Sequence, residues 1–352
     1  MNDILQSLNK ALARQGWLYG DKSHRLGHPF EWVDGDRHPE LYTTIDSFSI
    51  LLYLSMFYEE YATPDEVLTS DYEQMKGYYE EQLDNFCKHF FPFSRLSPTP
   101  LASDLKTYIG CHALGRTQDY CFIRKNCKDL TNSIKHLDIG SGLGSHALYS
   151  LKGLNSEFYA LEASPKSYAV QRHFLRFISP EPGAYLDLVE LENFEVTYDA
   201  MSKELNNNSQ YKIKHCPSWF VPLIQDKSID LITATWVLNE VSFSGILWLM
   251  SHASRVLSQG GYFYIRDSSK LKPGRHSINY DKLLNQIGFI EVARLNVRNR
   301  IDYYGVPRVY QKKTDAAYSF EELGESFLGK FAVTAHGGEY VQNLENMPKL
   351  KT

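Results

Sequence analysis

The segment Ile134-Lys-His-Leu-Asp-Ile-Gly-Ser-Gly-Leu-Gly-Ser-His-Ala-Leu-Tyr-Ser-Leu-Lys152 decides the fold of this chain. It begins with β-prone residues, continues with three alternating glycines and ends in helix-forming residues, which predicts a strand, a tight turn and a helix start. Gly140, Gly142 and Gly144 allow the backbone to turn sharply and to approach a ligand closely. Because the helix start also offers N–H groups, the segment predicts a site for a nucleotide-sized ligand beside Asp138.

Two classes of cofactor use a turn of this kind. Residues 142–147 fit the relaxed dinucleotide pattern G-x-G-x-x-G/A, whereas residues 138–144 read D-x-G-x-G-x-G. The acid, Asp138, favours the second pattern, because a carboxylate repels a pyrophosphate but attracts the ammonium group of S-adenosylmethionine. The glycines alone leave a nicotinamide-dependent oxidoreductase as the alternative.

A second acid follows at the end of the next predicted strand. Glu162-Ala163-Ser164-Pro165 combines this acid with a serine suited to cap a helix and a proline suited to its first turn. In a doubly wound sheet, an acid about twenty residues after the glycines accepts the hydroxyls of an adenosine ribose. We therefore predict that Glu162 binds a ribose; the alternative is that it only complements the helix N-terminus.

These motifs, with the strands that follow them, resemble class I S-adenosylmethionine-dependent methyltransferases. Residues 225–241 resemble the family's fourth strand, and residues 255–267 resemble the helix end, Gly-Gly turn and fifth strand that come next. Residues 288–297 and 306–313 are strand-like and joined without a helix, as in the family's C-terminal hairpin. The resemblance implies a doubly wound, seven-stranded Rossmann-like α/β sheet with a C-terminal antiparallel hairpin, and S-adenosylmethionine as cofactor.

The chain has room for one enzyme domain with extensions, since it contains 352 residues. We predict a mainly helical extension over residues 1–131, the cofactor-binding domain over residues 132–313 and a further extension over residues 314–352. A capping box at residues 63–66 predicts a helix that runs toward Phe91. Residues 180–210 are longer than a minimal crossover and predict an insertion.

The predicted cofactor-binding residues lie at strand ends, in the glycine turn and just before it. They are Asp138, Gly140, Ser141, Gly142, Gly144, Glu162, Ala163, Trp219, Trp236 and Arg116. Many relatives carry an acid after the third strand, but residues 211–219 offer none, so Trp219 either stacks on adenine or is a core aromatic. Arg116 either binds the methionine carboxylate through a bidentate pair or forms a salt bridge.

Strand ends also supply the candidate catalytic residues, because ligands of open α/β sheets bind outside the carboxyl ends of the strands. They are Glu240, Asp267 and, in the loop after the fifth strand, His276. An imidazole suits a general base near neutral pH, although a loop histidine is commonly just solvated. Asp267 equally fits a helix cap, and Glu240 stands where many relatives have histidine.

Composition excludes several classes of function. A net charge of −5 and a pI near 6.2 provide no broad basic surface, which argues against a nucleic acid as methyl acceptor. Five cysteines without a C-x-x-C pair predict neither a metal site nor a disulfide framework and fit the cytoplasm. No apolar run approaches the roughly 20 residues of a membrane span, so we expect no membrane insertion.

The methyl acceptor is predicted from organisation and aromatic content. The chain has 24 tyrosines and 19 phenylalanines, and those in the N-terminal extension could form a stacking wall for a sugar. The layout is similar to bacterial proteins assigned as sugar O-methyltransferases. This predicts O-methylation of a sugar, glycan or other hydroxyl-bearing small molecule; the alternative outside enzymology is a non-catalytic binding or scaffold protein. The oligomeric state is not predicted.

Overall fold

The computed structural model describes residues 68–90, 100–130, 133–163, 165–193, 197–238, 243–267, 276–278, 280–295, 306–319, 322–323, 332–336 and 339–340. The chain divides into two compact units, with a boundary between Leu223 and Ile224. Within the described ranges, no helix is both long and apolar enough to cross a membrane.

The described part of the first unit starts with two helices, α1 (Tyr72–Phe90) and α2 (Pro100–Asn126). They pack together, and the start of α1 is fixed by the Tyr120 hydroxyl, which donates to Asp71 Oδ2 at 2.5 Å. The predicted capping box at residues 63–66 lies outside the described residues. Residues 68–70 are not helical, however, so the helix begins at Tyr72, later than the sequence predicts.

An αβ array follows in the first unit. Its elements are β1 (Lys135–Ile139), α3 (His146–Gly153), β2 (Glu157–Glu162), α4 (Pro165–Ile178), β3 (Tyr185–Asp187), α5 (Leu188–Asn193), α6 (Tyr198–Asn207), β4 (Ile213–Pro217) and a 3-10 helix (Ser218–Leu223). The strands pair in the order β3-β4-β2-β1, and every pair is parallel. The central strands are almost wholly buried, as expected of parallel strands.

The predicted insertion at residues 180–210 contains β3, α5 and α6. β3 adds a short strand at the outer edge of this array, beyond those that the family resemblance implies. Asp187 ends β3, and its Oδ1 accepts the backbone N–H of Val189 at 3.0 Å, so one carboxylate both closes the strand and caps α5.

The second unit contains β5 (Ile229–Thr235), α7 (Phe243–Val256), β6 (Leu257–Asp267), β7 (His276–Ile278), α8 (Tyr280–Gln286), β8 (Phe289–Arg294), β9 (Val306–Lys312), β10 (Ala332–His336) and β11 (Glu339–Tyr340). Four strands pair in the order β5-β6-β9-β8; β5 and β6 are parallel, whereas β9 is antiparallel to both its neighbours. A small separate sheet has the order β11-β10-β7.

The predicted Gly-Gly turn before the fifth strand is wrong in detail. Gly260 and Gly261 lie inside β6, and the pairing with β5 shifts between Ile229 and Leu231. Gly260 has φ +84°, and a Cβ on Gly261 would lie 3.0 Å from the backbone oxygen of Asp230. The two glycines therefore allow an irregularity within the strand pair and a close approach to its neighbour.

The predicted α/β class with a C-terminal antiparallel hairpin is confirmed by the parallel arrays and by β8 and β9. The two arrays described above contain four strands each, one more in total than the seven expected, and the additional strand is β3.

Candidate cofactor site

The loop between β1 and α3 has the geometry that its glycines allow. Gly140, Gly142 and Gly144 have φ values of +64°, +58° and +80°, in the region that disfavours residues with a Cβ. The N–H of Gly140 donates to the backbone oxygen of Leu161 at 2.9 Å, which ties the loop to the end of β2. The shape of the loop is therefore set by the left-handed backbone of its glycines and by this hydrogen bond to β2.

Two of these glycines are required for different reasons. A Cβ on Gly144 would lie 2.9 Å from Cδ2 of Leu175, so this position allows α4 to pack closely on the loop. A Cβ on Gly142 would meet nothing within 4 Å. Ser141 between them is buried, and its hydroxyl has no hydrogen-bond partner among the described residues. The loop thus combines open space at Gly142 with a buried donor that a ligand can satisfy.

A buried polar cluster connects the loop with α2. Nη1 of Arg116 lies 2.8 Å from Nε2 of His146, and Nδ1 of His146 lies 3.1 Å from Oδ1 of Asp138. Oδ2 of Asp119 lies 3.5 Å from Nη1 of Arg116. All four side chains are buried. Asp138 therefore contacts His146 at the start of α3, and His146 in turn contacts Arg116 of α2.

These distances assign the tautomer of His146. A guanidinium only donates, so Nε2 of His146 accepts from Arg116 and the ring proton is on Nδ1. Nδ1 then donates to the carboxylate of Asp138. The imidazole therefore bridges Arg116 and Asp138, and it is a member of the candidate site that the sequence analysis did not include.

Glu162 ends β2 and is buried next to the loop. Its Oε1 accepts the backbone N–H of Ala163 at 2.9 Å, and its Oε2 accepts from Nε2 of Gln171 at 2.8 Å. The same Gln171 nitrogen donates to the backbone oxygen of Gly142 at 2.7 Å. Gln171 on α4 therefore joins the two predicted halves of the cofactor site, the glycine loop and the acid after β2.

Behind Gln171 lies a second buried network. Nε2 of His215 lies 2.9 Å from Oε1 of Gln171, and Nδ1 of His215 lies 2.8 Å from the hydroxyl of Tyr185. Burial lowers the pKa of His215 well below its ordinary value, and the charges of Arg172 and Arg176 lower it further. The ring is therefore neutral and stacks on Tyr168, with ring centroids 3.6 Å apart.

The buried charges around the loop are mostly negative. Among the described residues, Asp119, Asp138 and Glu162 place three buried carboxyl groups near the loop, and Arg116 contributes a buried guanidinium. In a buried site a carboxylate attracts a cationic ligand and repels an anionic one more strongly than in water.

The remaining predicted residues lie in several places. Trp219 is in the 3-10 helix that follows β4, and its backbone alone is described. Trp236 follows β5 with φ +60°, and its N–H donates to the backbone oxygen of Arg266 at 3.0 Å. Asp267 is the buried last residue of β6. Glu240 lies outside the described residues.

His276 does not lie in a loop as the sequence analysis expects. It begins β7 and pairs with Thr334 of β10. The expectation was wrong because β7 forms by pairing with β10, which lies more than fifty residues later, and local sequence does not encode such pairing.

The chain was compared with known proteins. No protein-family model matches the chain, and no curated protein matches it. Solved structures that it resembles include an amino pentose methyltransferase from Micromonospora echinaspora (12% identity, 54% of this chain and 87% of that chain, TM-score 0.36). Others are a geranyl diphosphate methyltransferase (10%, 69% and 100%, TM-score 0.40) and TrmK of M. capricolum with S-adenosylhomocysteine (16%, 58% and 73%, TM-score 0.33).

The strand order within each array, the glycine loop after β1 and the hairpin of β8 and β9 give the chain a Rossmann-like α/β fold with C-terminal antiparallel strands. The likenesses to solved structures have low identities and TM-scores below 0.5, so they carry no argument about this chain.

Proposed function

We propose that the protein is an S-adenosylmethionine-dependent methyltransferase. The observation that carries this proposal is the excess of carboxyl groups among the described buried side chains at the glycine loop, beside an acid suited to a ribose diol. S-adenosylmethionine carries a sulfonium and an ammonium and has no phosphate. A dinucleotide would instead bring a pyrophosphate to a loop flanked by Asp138, which disfavours the oxidoreductase alternative.

The residues present fit this cofactor. Glu162 would accept the ribose hydroxyls, and the open space at Gly142 would admit the adenosyl group close to the backbone. Asp138 would face the ammonium, and Arg116 is proposed for the methionine carboxylate. Trp219, Trp236 and Ala163 are proposed as further cofactor contacts, and residues 132–313 as the cofactor-binding domain.

When bound, the cofactor would supply an electrophilic methyl group, and the protein's main task is to hold the acceptor in line with it. Such positioning contributes up to roughly 7–11 kcal/mol, more than a general base. Asp267, Glu240 and His276 are proposed as groups that orient or deprotonate the acceptor. Asp267 is the described member of the three whose side chain is buried at a strand end.

For the acceptor we propose a sugar, glycan or other hydroxyl-bearing small molecule. The acidic balance of the chain favours a small acceptor over a nucleic acid. Its five cysteines are all free, which favours a reducing compartment such as the cytoplasm.

Calorimetry with S-adenosylhomocysteine and with NAD tests the cofactor. We expect binding of the first and none of the second; the reverse result would replace the proposal with an oxidoreductase. Incubation with methyl-labelled cofactor and a panel of sugars then tests turnover. Tight cofactor binding without any labelled product, from sugars or from extracted metabolites, would favour the non-catalytic alternative.

A further inference from the structure

We infer that Gln171 is a positioning residue, which sets the carboxylate of Glu162 against the glycine loop and so determines how well the site recognises a ribose diol. The inference deepens the proposed function and rests on it. Gln171 lies on α4, outside both sequence motifs that bind the cofactor in the proposal.

The amide of Gln171 makes one contact with each half of the site. Its nitrogen donates at 2.7 Å to the backbone oxygen of Gly142 and at 2.8 Å to Oε2 of Glu162. An amide nitrogen has two protons, so both are used. Because Gly142 is a loop residue at φ +58°, the first bond holds a left-handed turn in place while the second holds the acid.

The orientation of this amide is itself fixed. The oxygen of Gln171 lies 2.9 Å from Nε2 of His215, and because an amide oxygen only accepts, this ring nitrogen donates. An amide turned by 180° would point its oxygen at the backbone oxygen of Gly142 and at the carboxylate of Glu162. The two acceptors and a donating His215 therefore all fit the same orientation of the amide, which is the one that Glu162 requires.

The arrangement leaves Glu162 suited to a diol. Its two oxygens are held by Ala163 and by Gln171, and each carboxylate oxygen has two acceptor positions, so these bonds are compatible with one hydroxyl at each oxygen. A glutamate fixed before the ligand arrives loses less side-chain freedom on binding. Loss of Gln171 removes the bond that joins this carboxylate to the loop through Gly142.

The test compares S-adenosylhomocysteine with its 2′,3′-dideoxy analogue by calorimetry. In the wild-type protein the diol should improve affinity about a hundredfold, as expected for two hydrogen bonds to a charged group. In Gln171→Leu this ratio should fall to about tenfold or less. Gln171→Met, which keeps about the same length of side chain but has no donor, should lower the ratio as well and serves if the leucine variant does not fold.

Asn206→Leu is the matched control. The Asn206 amide also joins two segments of the first unit, through Ser202 and the backbone oxygen of Leu223 at 2.7 Å. The backbone oxygen of Asn206 accepts from Lys135, at the end of β1 opposite the glycine loop. This variant should lose stability but keep the wild-type ratio.

The possible outcomes distinguish failure of the proposed function from failure of the role inferred for Gln171. Wild-type protein that does not bind S-adenosylhomocysteine would reject the proposed function and this inference with it. Wild-type protein that binds, with the same diol ratio in both Gln171 variants, would reject the inference alone. A lowered ratio in Asn206→Leu as well would also reject it, since the effect would then follow general destabilisation.

Discussion

Arg116 and His146 are separated by 30 residues in sequence, yet Nη1 of the first lies 2.8 Å from Nε2 of the second. The contact joins α2, which precedes the αβ array, to α3, which follows the glycine loop. Because arginine only donates, the contact decides which nitrogen of His146 donates to Asp138. A residue before the glycine motif is therefore linked through His146 to the acid inside that motif.

Replacing His146 by leucine should destabilise the protein strongly. The substitution removes a partner from the buried Arg116 and Asp138, which should lower the free energy of unfolding by about 2–4 kcal/mol. His146→Gln should recover part of the loss, because an amide supplies both a donor and an acceptor. Urea unfolding measures the stability of the two His146 variants.

His89→Leu, at an exposed position of α1, is the control and should change stability by less than about 1 kcal/mol. An equal loss of stability in His146→Leu and His89→Leu would contradict the role of the buried cluster.

Replacing Glu162 by glutamine should weaken cofactor binding without unfolding the protein. An amide accepts the ribose hydroxyls less well than a carboxylate, so affinity for S-adenosylhomocysteine should fall about tenfold to a hundredfold. The control is Glu157→Gln on the same strand. Glu157 pairs with Lys214 at 2.8 Å, and this substitution should lower stability but leave affinity unchanged. Unchanged affinity in Glu162→Gln, measured by calorimetry, would exclude the assigned role.

Alanine at the two loop glycines should produce different defects. Gly144→Ala combines φ +80° with a Cβ 2.9 Å from Leu175 and should cost about 2–4 kcal/mol of stability. Gly142→Ala meets no neighbour within 4 Å, so its cost should be limited to about 1 kcal/mol for the backbone conformation. Its main effect should be on cofactor affinity. Thermal unfolding and calorimetry on both variants check this, and identical profiles would count against a ligand at Gly142.

Stability should fall in acid partly because of His136. This side chain is buried, with Nδ1 2.7 Å from the hydroxyl of Ser150, and burial lowers its pKa from 6.5 to about 3. The unfolded chain binds this proton below pH 6.5, whereas the folded protein does not until about pH 3, so stability is complete above 6.5 and is lost as the pH falls. Between about pH 7.5 and about pH 5, His136 should account for roughly 2 kcal/mol.

The measurement for His136 is urea unfolding of the wild type and of His136→Gln at both pH values. The variant should lose less stability on acidification, because glutamine does not titrate. Parallel curves for the two proteins would show that His136 titrates alike in the folded and unfolded states.

The glycine loop illustrates what could be predicted from sequence. Gly140, Gly142 and Gly144 have positive φ as expected, because a left-handed backbone is a local property that glycine alone adopts at little cost. Glu162 ends β2 and Pro165 begins α4, also as predicted. Both follow from short-range strand and capping preferences.

Contacts between residues far apart in the chain could not be predicted from these short-range preferences. The sequence gives no sign that Gln171 contacts Gly142, 29 residues away, because the bond depends on how α4 packs against the loop. A polar residue beside the buried Val170 and near Phe174 was the available signal, since a polar group on a core face needs a partner. His276 and β3 were missed for a related reason: strand pairing at an edge depends on distant partners.

The sequence by itself determined the fold class, the turn after β1 and the acid after β2, since backbone sterics, capping and hydrophobic pattern act over a few residues. The tertiary structure decided which side chains hold that acid and Asp138 in place. Arg116, His146, Gln171 and His215 come from four separate elements and make their bonds only after these elements pack. Buried polar groups must find partners wherever packing brings them, and that requirement fixes the tautomers and amide orientation on which the proposed cofactor site depends.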